Sequence, residues 1–461
     1  MSIDLAYIVP HPPVVIPEVG KGQEREIQKT YDAYHQIGKE IGEYKPETII
    51  LVTPHSITYQ DYLHISPGKS AGGDFHKFGE YSYSIKVDYD QEFVSEIEKL
   101  AGQKEILAGT LGERDKSLDH GTLVPLYFID PCLENYKVVR ASISGLSYTD
   151  HYRFGTCIQR TAEKLGRRTV LIASGDLSHR LKEEGPYSYA KEGPIFDEQV
   201  VEAMKTADFL SFLRFNEDFC SAAGECGLRS FIVMAGALDG KAVKAGFRSY
   251  EGPFGVGYAL CSYQVLGEDK NRRFDIIHKE EQKKRIKIIK EGEDPYVKLA
   301  RLSLETYIRE RRYIKTNQEF PEELAKIKAG VFVTLKKDDR LRGCIGTISP
   351  SEDNIGQEII RNAVSAGTGD PRFDPVTQDE LADIIYSVDV LGEPEPIQSA
   401  SQLDPERYGV IVTMGRKRGL LLPNLEGVTT PEQQIGIALK KAGIGPRESY
   451  GLERFEVVRH K

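Results

Sequence analysis

Residues 51–56 read "LVTPHS", an apolar, strand-like run that stops at Pro54 and then presents His55. Residues 5–13, "LAYIVPHPP", do the same with His11, and "RTVLIASGDLSH" (168–179) finishes on His179. Between the first two lies "EREIQKTYDAYHQIGKEI" (24–41), in which Ile27, Tyr31, Tyr34 and Ile41 recur at helical spacing. Strand, helix and strand in succession predict a βαβ unit. With "KVVRASIS" (137–144) as a further β-branched run, residues 1–266 are expected to form an α/β domain with a largely parallel sheet covered on both faces.

In an open sheet of that kind, ligands bind in the crevice beyond the carboxyl ends of the strands. Parallel strands would bring His11, His55 and His179 to one such edge, and His120 in "SLDHGTLVPLYF" (117–128) sits on a loop just before an apolar segment. Neutral imidazole binds first-row metals, and a free imidazole moves protons near neutrality. His11 and His55 follow prolines, whose fixed φ would hold the rings still, as metal ligands require. His179 follows "SGDLS", where Asp176 is placed to orient a ring acting as a base. Glu225, ahead of the apolar helical run in "ECGLRSFIVMAGAL" (225–238), would complete a two-histidine, one-carboxylate triad with open positions on iron(II). Cys226 follows it directly. Neighbours on a helix point about 100° apart, so one of the two faces the metal, and a thiolate would favour zinc or copper(I).

The 461 residues and a length near three domains' worth predict two or more domains. A net charge of -9 argues against broad nucleic-acid or anionic-membrane binding. No run of eighteen apolar residues or signal-peptide pattern is present, and six scattered cysteines without a C-x-x-C pair fit a reducing compartment, so a cytoplasmic location is expected. The stretch 267–294 holds 17 charged residues in 28 positions and is read as a solvated linker. The glycine-rich stretch 66–83 is read as a mobile surface loop.

Residues 295–461 change character. "DPYVKLARLSLETYIRERR" (294–312) is amphipathic, "GVFVTLKKDDRLRGCIGTI" (330–348) is a hairpin turning at Asp338-Asp339, and "GVIVTMGRKRGLLLP" (409–423) is another. Thr430, Pro431 and Gln433 form a capping box. An α+β domain of antiparallel hairpins and helices follows. Arg342, Cys344, Asp370 and Arg372, in "LRGCIGT" and "DPRFDPV", are candidates to line a small-molecule or protein-docking pocket, although a general base for Cys344 is missing. The competing reading has Arg372 pinning its loop to a carboxylate.

"PHPP", "PHS", "DHGTLVPL", "SGDLSH" and the 225–238 stretch occur in the order of the LigB-like class III extradiol dioxygenases, which residues 1–266 resemble, together with their relatives of the Memo family. The resemblance implies iron(II) held by His11, His55 and Glu225, with a catecholic aromatic substrate and O2 as reactants. It implies His179 as base and then acid, and His120 as a pocket residue bonding to substrate or oxygen. Memo relatives place a cysteine near position 226 as third ligand, which would make zinc or copper the metal. "DHGT" and "SGDLSH" look more like the dioxygenase branch, so Glu225 is the expected ligand. Residues 295–461 resemble the AMMECR domain of AmmeMemoRadiSam system proteins through "LRGCIG" and "DPRF". That resemblance implies a radical S-adenosylmethionine protein as a partner and leaves the domain's own activity open. The rival reading is a Memo-like metal-binding scaffold without oxygenase turnover. A homodimer is compatible with the sequence.

Overall fold

The computed structural model describes residues 3–185, 187–315, 320–425 and 427–461. The chain divides into two compact units, 1–280 and 281–461. The division falls inside a helix, Phe274–Gly292, which occupies most of the stretch expected as a linker. Its charged sequence is that of a solvated helical face, and among its described residues only Phe274 is buried.

The first unit is built on a six-stranded sheet in the order Lys137–Ser142, Thr48–Thr53, Thr169–Ser174, Ile3–Val9, Tyr258–Glu268 and Lys241–Glu251. The first four strands are parallel, and the last two form a long antiparallel hairpin in which Tyr258–Glu268 runs antiparallel to Ile3–Val9. Every residue of Thr48–Thr53 and Thr169–Ser174 is buried, as expected for parallel strands covered on both faces. The register pairs Thr53 with Ser142 and Val9 with Ser174, so these strands end level with one another. One face packs Ile8, Ile50, Val52 and Leu171 against the helices Tyr148–Leu165 and Leu228–Ala237. The other packs Tyr7, Val9, Leu51 and Ile172 against Gln28–Tyr44 and His120–Ile129. Alternate residues of each strand thus feed opposite cores, which fixes the register.

Part of the glycine-rich stretch is ordered differently from expectation. Ser70–Asp74 and Ser84–Asp88 pair as an antiparallel hairpin, with a 3-10 turn at His76–Phe78 between them. Its glycines hid the alternation: a Cβ on Gly73 would meet Leu118 and Leu123 within 2.8 Å, so a side chain there has no room.

The second unit is an antiparallel sheet of seven strands, ordered along its main path Arg340–Gly346, Val331–Lys337, Ile384–Leu391, Gly451–His460, Tyr408–Met414 and Lys417–Leu421, with Glu395–Ile397 pairing Gly451–His460 off that path. Helices Pro295–Glu310 and Ile355–Thr368 cover it through Val297, Leu299, Leu304, Ile359 and Ala363. Asp338 and Asp339 both have positive φ, the backbone of a tight two-residue turn with the strands' own twist. Thr430 and Gln433 form the expected reciprocal cap of Pro431–Ala442. Among the described residues, no helix is long and apolar enough to cross a membrane.

Candidate metal centre

The site lies beyond the carboxyl ends of the parallel strands. His11 follows Ile3–Val9, and His55 follows Thr48–Thr53. Their Nε2 atoms are 3.0 Å apart. Ser174, the last residue of its strand, donates its hydroxyl proton to Gly121 O at 2.6 Å and sits 2.9 Å from His11 Nδ1. With that proton spent, Ser174 Oγ accepts from His11, so Nδ1 carries the hydrogen and Nε2 presents a lone pair. The 3.0 Å contact is then a hydrogen bond donated by His55 Nε2–H, the proton a metal ion would displace.

The third donor is Cys226, whose Sγ is 3.6 Å from His11 Nε2. Among the described residues, His11, His55 and Cys226 form the group able to hold a metal, their ligand atoms all within 4.8 Å of one another. Bond lengths of about 2.0–2.1 Å to nitrogen and 2.3 Å to sulfur place tetrahedral ligands roughly 3.3 Å (N to N) and 3.6 Å (N to S) apart. The two separations from His11 Nε2 match this spacing, and the third lies within 4.8 Å, so the donor set fits a metal ion.

Glu225 is not part of this group, contrary to the expectation from sequence. Its Oε2 accepts from Leu228 N at 2.7 Å, capping the helix Leu228–Ala237, and burial raises its carboxyl to about 7. The turn between Gly224, at φ 68°, and the helix start presents Cys226 to the imidazoles and Glu225 to the helix amides. Asp176 also departs from its expected place. Its Oδ1 accepts from His11 N at 2.7 Å and its own N–H points to Cys226 Sγ at 3.3 Å, so it steadies two ligands rather than His179. Burial raises Asp176 to about 7 as well.

The other two histidines lie close by, His120 in ring contact with both imidazole ligands and His179 near enough to interact electrostatically with them. His120 is the first residue of a helix rather than part of a preceding loop, and Asp119 caps that helix while accepting from Thr53 Oγ1 at 2.7 Å. The His120 ring lies 4.1 Å from His55 and 5.2 Å from His11. His179 is held by its N–H on Gly224 O and stacks on Tyr187 at 5.2 Å. Burial, then the neighbouring imidazole of His55, lowers both His120 and His179 to about 4. Burial also lowers His11 and His55. All four rings are neutral at pH 7, so each retains a basic nitrogen. The Cys226 thiol is pushed upward by burial and then by Asp176 and Glu225, so a cation is needed to ionise it.

Asp119, Ser174 and Arg140 carried no signal in the sequence reading. Arg140 is 1% exposed and reaches Ser66 Oγ, Ser117 O and Asp115 O, tying the loop ahead of His120 to the sheet. A lone arginine in a β-branched strand looks like surface until its partners are seen.

In the second unit the candidates separate into two clusters. Arg342 makes a forked pair with Glu380 at 2.9 and 3.0 Å. Asp370 accepts from Cys344 N and from both Nε and Nη2 of Arg372, which also reaches Cys344 O. Thr334 Oγ1 lies 3.3 Å from Cys344 Sγ, and burial raises the thiol. These side chains pin the "DPRF" loop to the edge strand Arg340–Gly346, with every charge paired.

Compared with known proteins, residues 5–261 match the family model "Catalytic LigB subunit of aromatic ring-opening dioxygenase". The chain belongs to the LigB family. Residues 297–460 of this LigB-family chain match the AMMECR1 model, giving an N-terminal LigB domain and a C-terminal AMMECR1 domain. The protein CA_C1420 of Clostridium acetobutylicum is 45% identical over 471 residues, covering 100% of both chains. A Thermotoga maritima protein is 52% identical over 172 residues, covering 37% of this chain and 99% of its own length. Among solved structures, PH0010 from Pyrococcus horikoshii is 32% identical, covers 36% of this chain and 88% of that one, and has a TM-score of 0.34.

Proposed function

We propose that the LigB domain is a metal-dependent oxygenase-type enzyme for a small chelating aromatic substrate, its metal held by His11, His55 and Cys226. The observation that carries this reading is the convergence of two Nε2 atoms and one Sγ at ligand spacing, with His120 in ring contact and His179 nearby. A bound redox-active metal would supply contact between substrate and O2, for which iron(II) is the natural choice. Two neutral imidazoles outside the ligand set are suited to the proton transfers a catecholic substrate requires. His179 takes the hydroxyl proton and returns it later, while His120 holds the substrate oxygens. Asp176 and Ser174 keep the ligands aimed.

A second reading is favoured by Cys226 itself. A thiolate in place of a carboxylate suits zinc or copper(I), and the domain would then bind a ligand without oxygenase turnover. The AMMECR1 domain would serve either activity as an accessory part. Its fusion to the LigB domain in one chain supports a shared process, with a radical S-adenosylmethionine protein as the proposed third partner.

Metal analysis of the anaerobically purified full chain, followed by oxygen uptake with a panel of catechols, tests both readings. One iron per chain with substrate-dependent uptake is the expected result. Zinc or copper with no uptake by the iron-reconstituted protein establishes the second reading instead.

A further inference from the structure

Two aromatic rings at the site do no evident work in its framework. Phe78 ends the 3-10 turn of the Ser70–Asp88 hairpin and lies 5.8 Å from the His120 ring at 68°, yet is 37% exposed. Tyr187 stacks on His179 at 5.2 Å and 22°, and is 53% exposed. They reach the centre from different sides. Phe78 follows Phe75, which belongs to the core packed under His120–Ile129. His179 is anchored to Gly224, on the approach to the helix Leu228–Ala237 in the opposite core.

A single half-exposed aromatic is ordinary on a protein surface. Here two such rings are set one on each imidazole that surrounds the metal ligands without belonging to them. Both touch these imidazoles while leaving part of the ring uncovered by the rest of the chain. Ring pairs attract at centroid distances of about 4.5–7 Å in stacked or edge-to-face poses, the range in which each ring already sits over its imidazole. A planar ring chelated beside His55 would continue both arrangements.

We propose that Phe78 and Tyr187 are specificity-determining residues of this centre, an aromatic pair that selects ring-bearing chelators over aliphatic ones. The proposal rests on the reading of the site as a centre for a chelating aromatic, and it adds which residues confer the preference. It also assigns a role to the glycine-rich hairpin: Gly79, at φ 79°, turns the chain directly after Phe78 and fixes where the ring is delivered.

The test uses the full chain loaded with zinc, which is redox-inert, so O2 does not consume the probe. 4-Nitrocatechol is titrated by its absorbance change on chelation, and acetohydroxamic acid, a non-aromatic chelator, is measured by displacement. Phe78→Leu and Tyr187→Leu are each expected to weaken 4-nitrocatechol by about 3- to 10-fold, and to leave acetohydroxamate and zinc content unchanged. Phe78→Tyr and Tyr187→Phe should keep wild-type affinity. Equal weakening of both chelators, or no weakening of either, overturns the aromatic pair while the metal-centre reading stands. Failure of the zinc-loaded wild type to bind 4-nitrocatechol overturns the aromatic-substrate reading and the pair with it.

Discussion

Gly175 and Gly227 lie back to back: a Cβ built on Gly175 would come within 2.1 Å of the Gly227 Cα. This contact joins the loop after Thr169–Ser174 to the loop that ends at the helix Leu228–Ala237. It is what allows Cys226 to lie beside His11 while Asp176 N–H reaches Cys226 Sγ. Gly175→Ala must push the loops apart. Overpacking of this kind costs about 1–3 kcal/mol. The variant is expected to melt earlier and to bind zinc or iron more weakly, as measured by calorimetry and by competition with a chromophoric chelator. Wild-type affinity in a folded Gly175→Ala protein would show that the contact does not set ligand spacing.

The choice between two adjacent side chains is tested by exchanging them one at a time. Cys226→Ser removes the sulfur donor and is expected to lower metal affinity by about 100-fold or more, beyond what loss of an outer partner costs. Cobalt(II) bound to the wild type should show thiolate-to-metal charge-transfer absorption in the near ultraviolet, and Cys226→Ser should lack it. Glu225→Ala should keep both the metal and the band, and lose about 1 kcal/mol of stability through the missing helix cap. The reverse pattern would restore the carboxylate as ligand.

Ser174 controls which nitrogen of His11 carries its proton, because its own hydrogen is committed to Gly121 O. Ser174→Ala leaves His11 Nδ1–H buried without an acceptor and frees the ring to turn. Metal affinity should fall about 10- to 100-fold, the usual cost of removing a partner behind a ligand. Nitrogen-15 NMR of labelled histidine checks the tautomer directly in the metal-free protein: wild type should show His11 protonated at Nδ1, and the variant a mixture.

Much of this was written in local sequence. His11 and His55 were legible because an apolar strand ending in proline states both its direction and its end, and parallel strands share an edge. The Asp338-Asp339 turn and the Thr430 cap were legible because single residue types satisfy those backbone demands. Glu225 and Cys226 were not separable, since their directions depend on how the chain leaves Gly224 and meets Gly227 from another loop. Asp176 was assigned to the nearer histidine in sequence, whereas its bond is to a backbone amide 165 positions away. Phe78 gave no signal at all, because it lies in the turn between two strands, the first of which, Ser70–Asp74, carries two glycines where alternating side chains would be read.

In the AMMECR1 domain, the pairing of Arg342 with Glu380 makes a prediction about acid stability. Burial raises the Glu380 carboxyl, but hydrogen bonds from Arg342, the Thr377 N–H and Lys337 outweigh it and hold the group down to about 2. An unfolded glutamate titrates near 4.3. The folded state thus binds the proton less readily, so this carboxylate stabilises the domain above that value. The contribution is lost as pH falls from about 4.3 toward 2. Solvent screening reduces it to about 1–2 kcal/mol. Glu380→Gln should therefore lower the melting temperature of the domain's transition at pH 7, and the difference from wild type should shrink steadily between pH 5 and pH 2.5. A gap that stays constant with pH would mean that the side chain contributes through packing and neutral hydrogen bonds, with no part played by its charge.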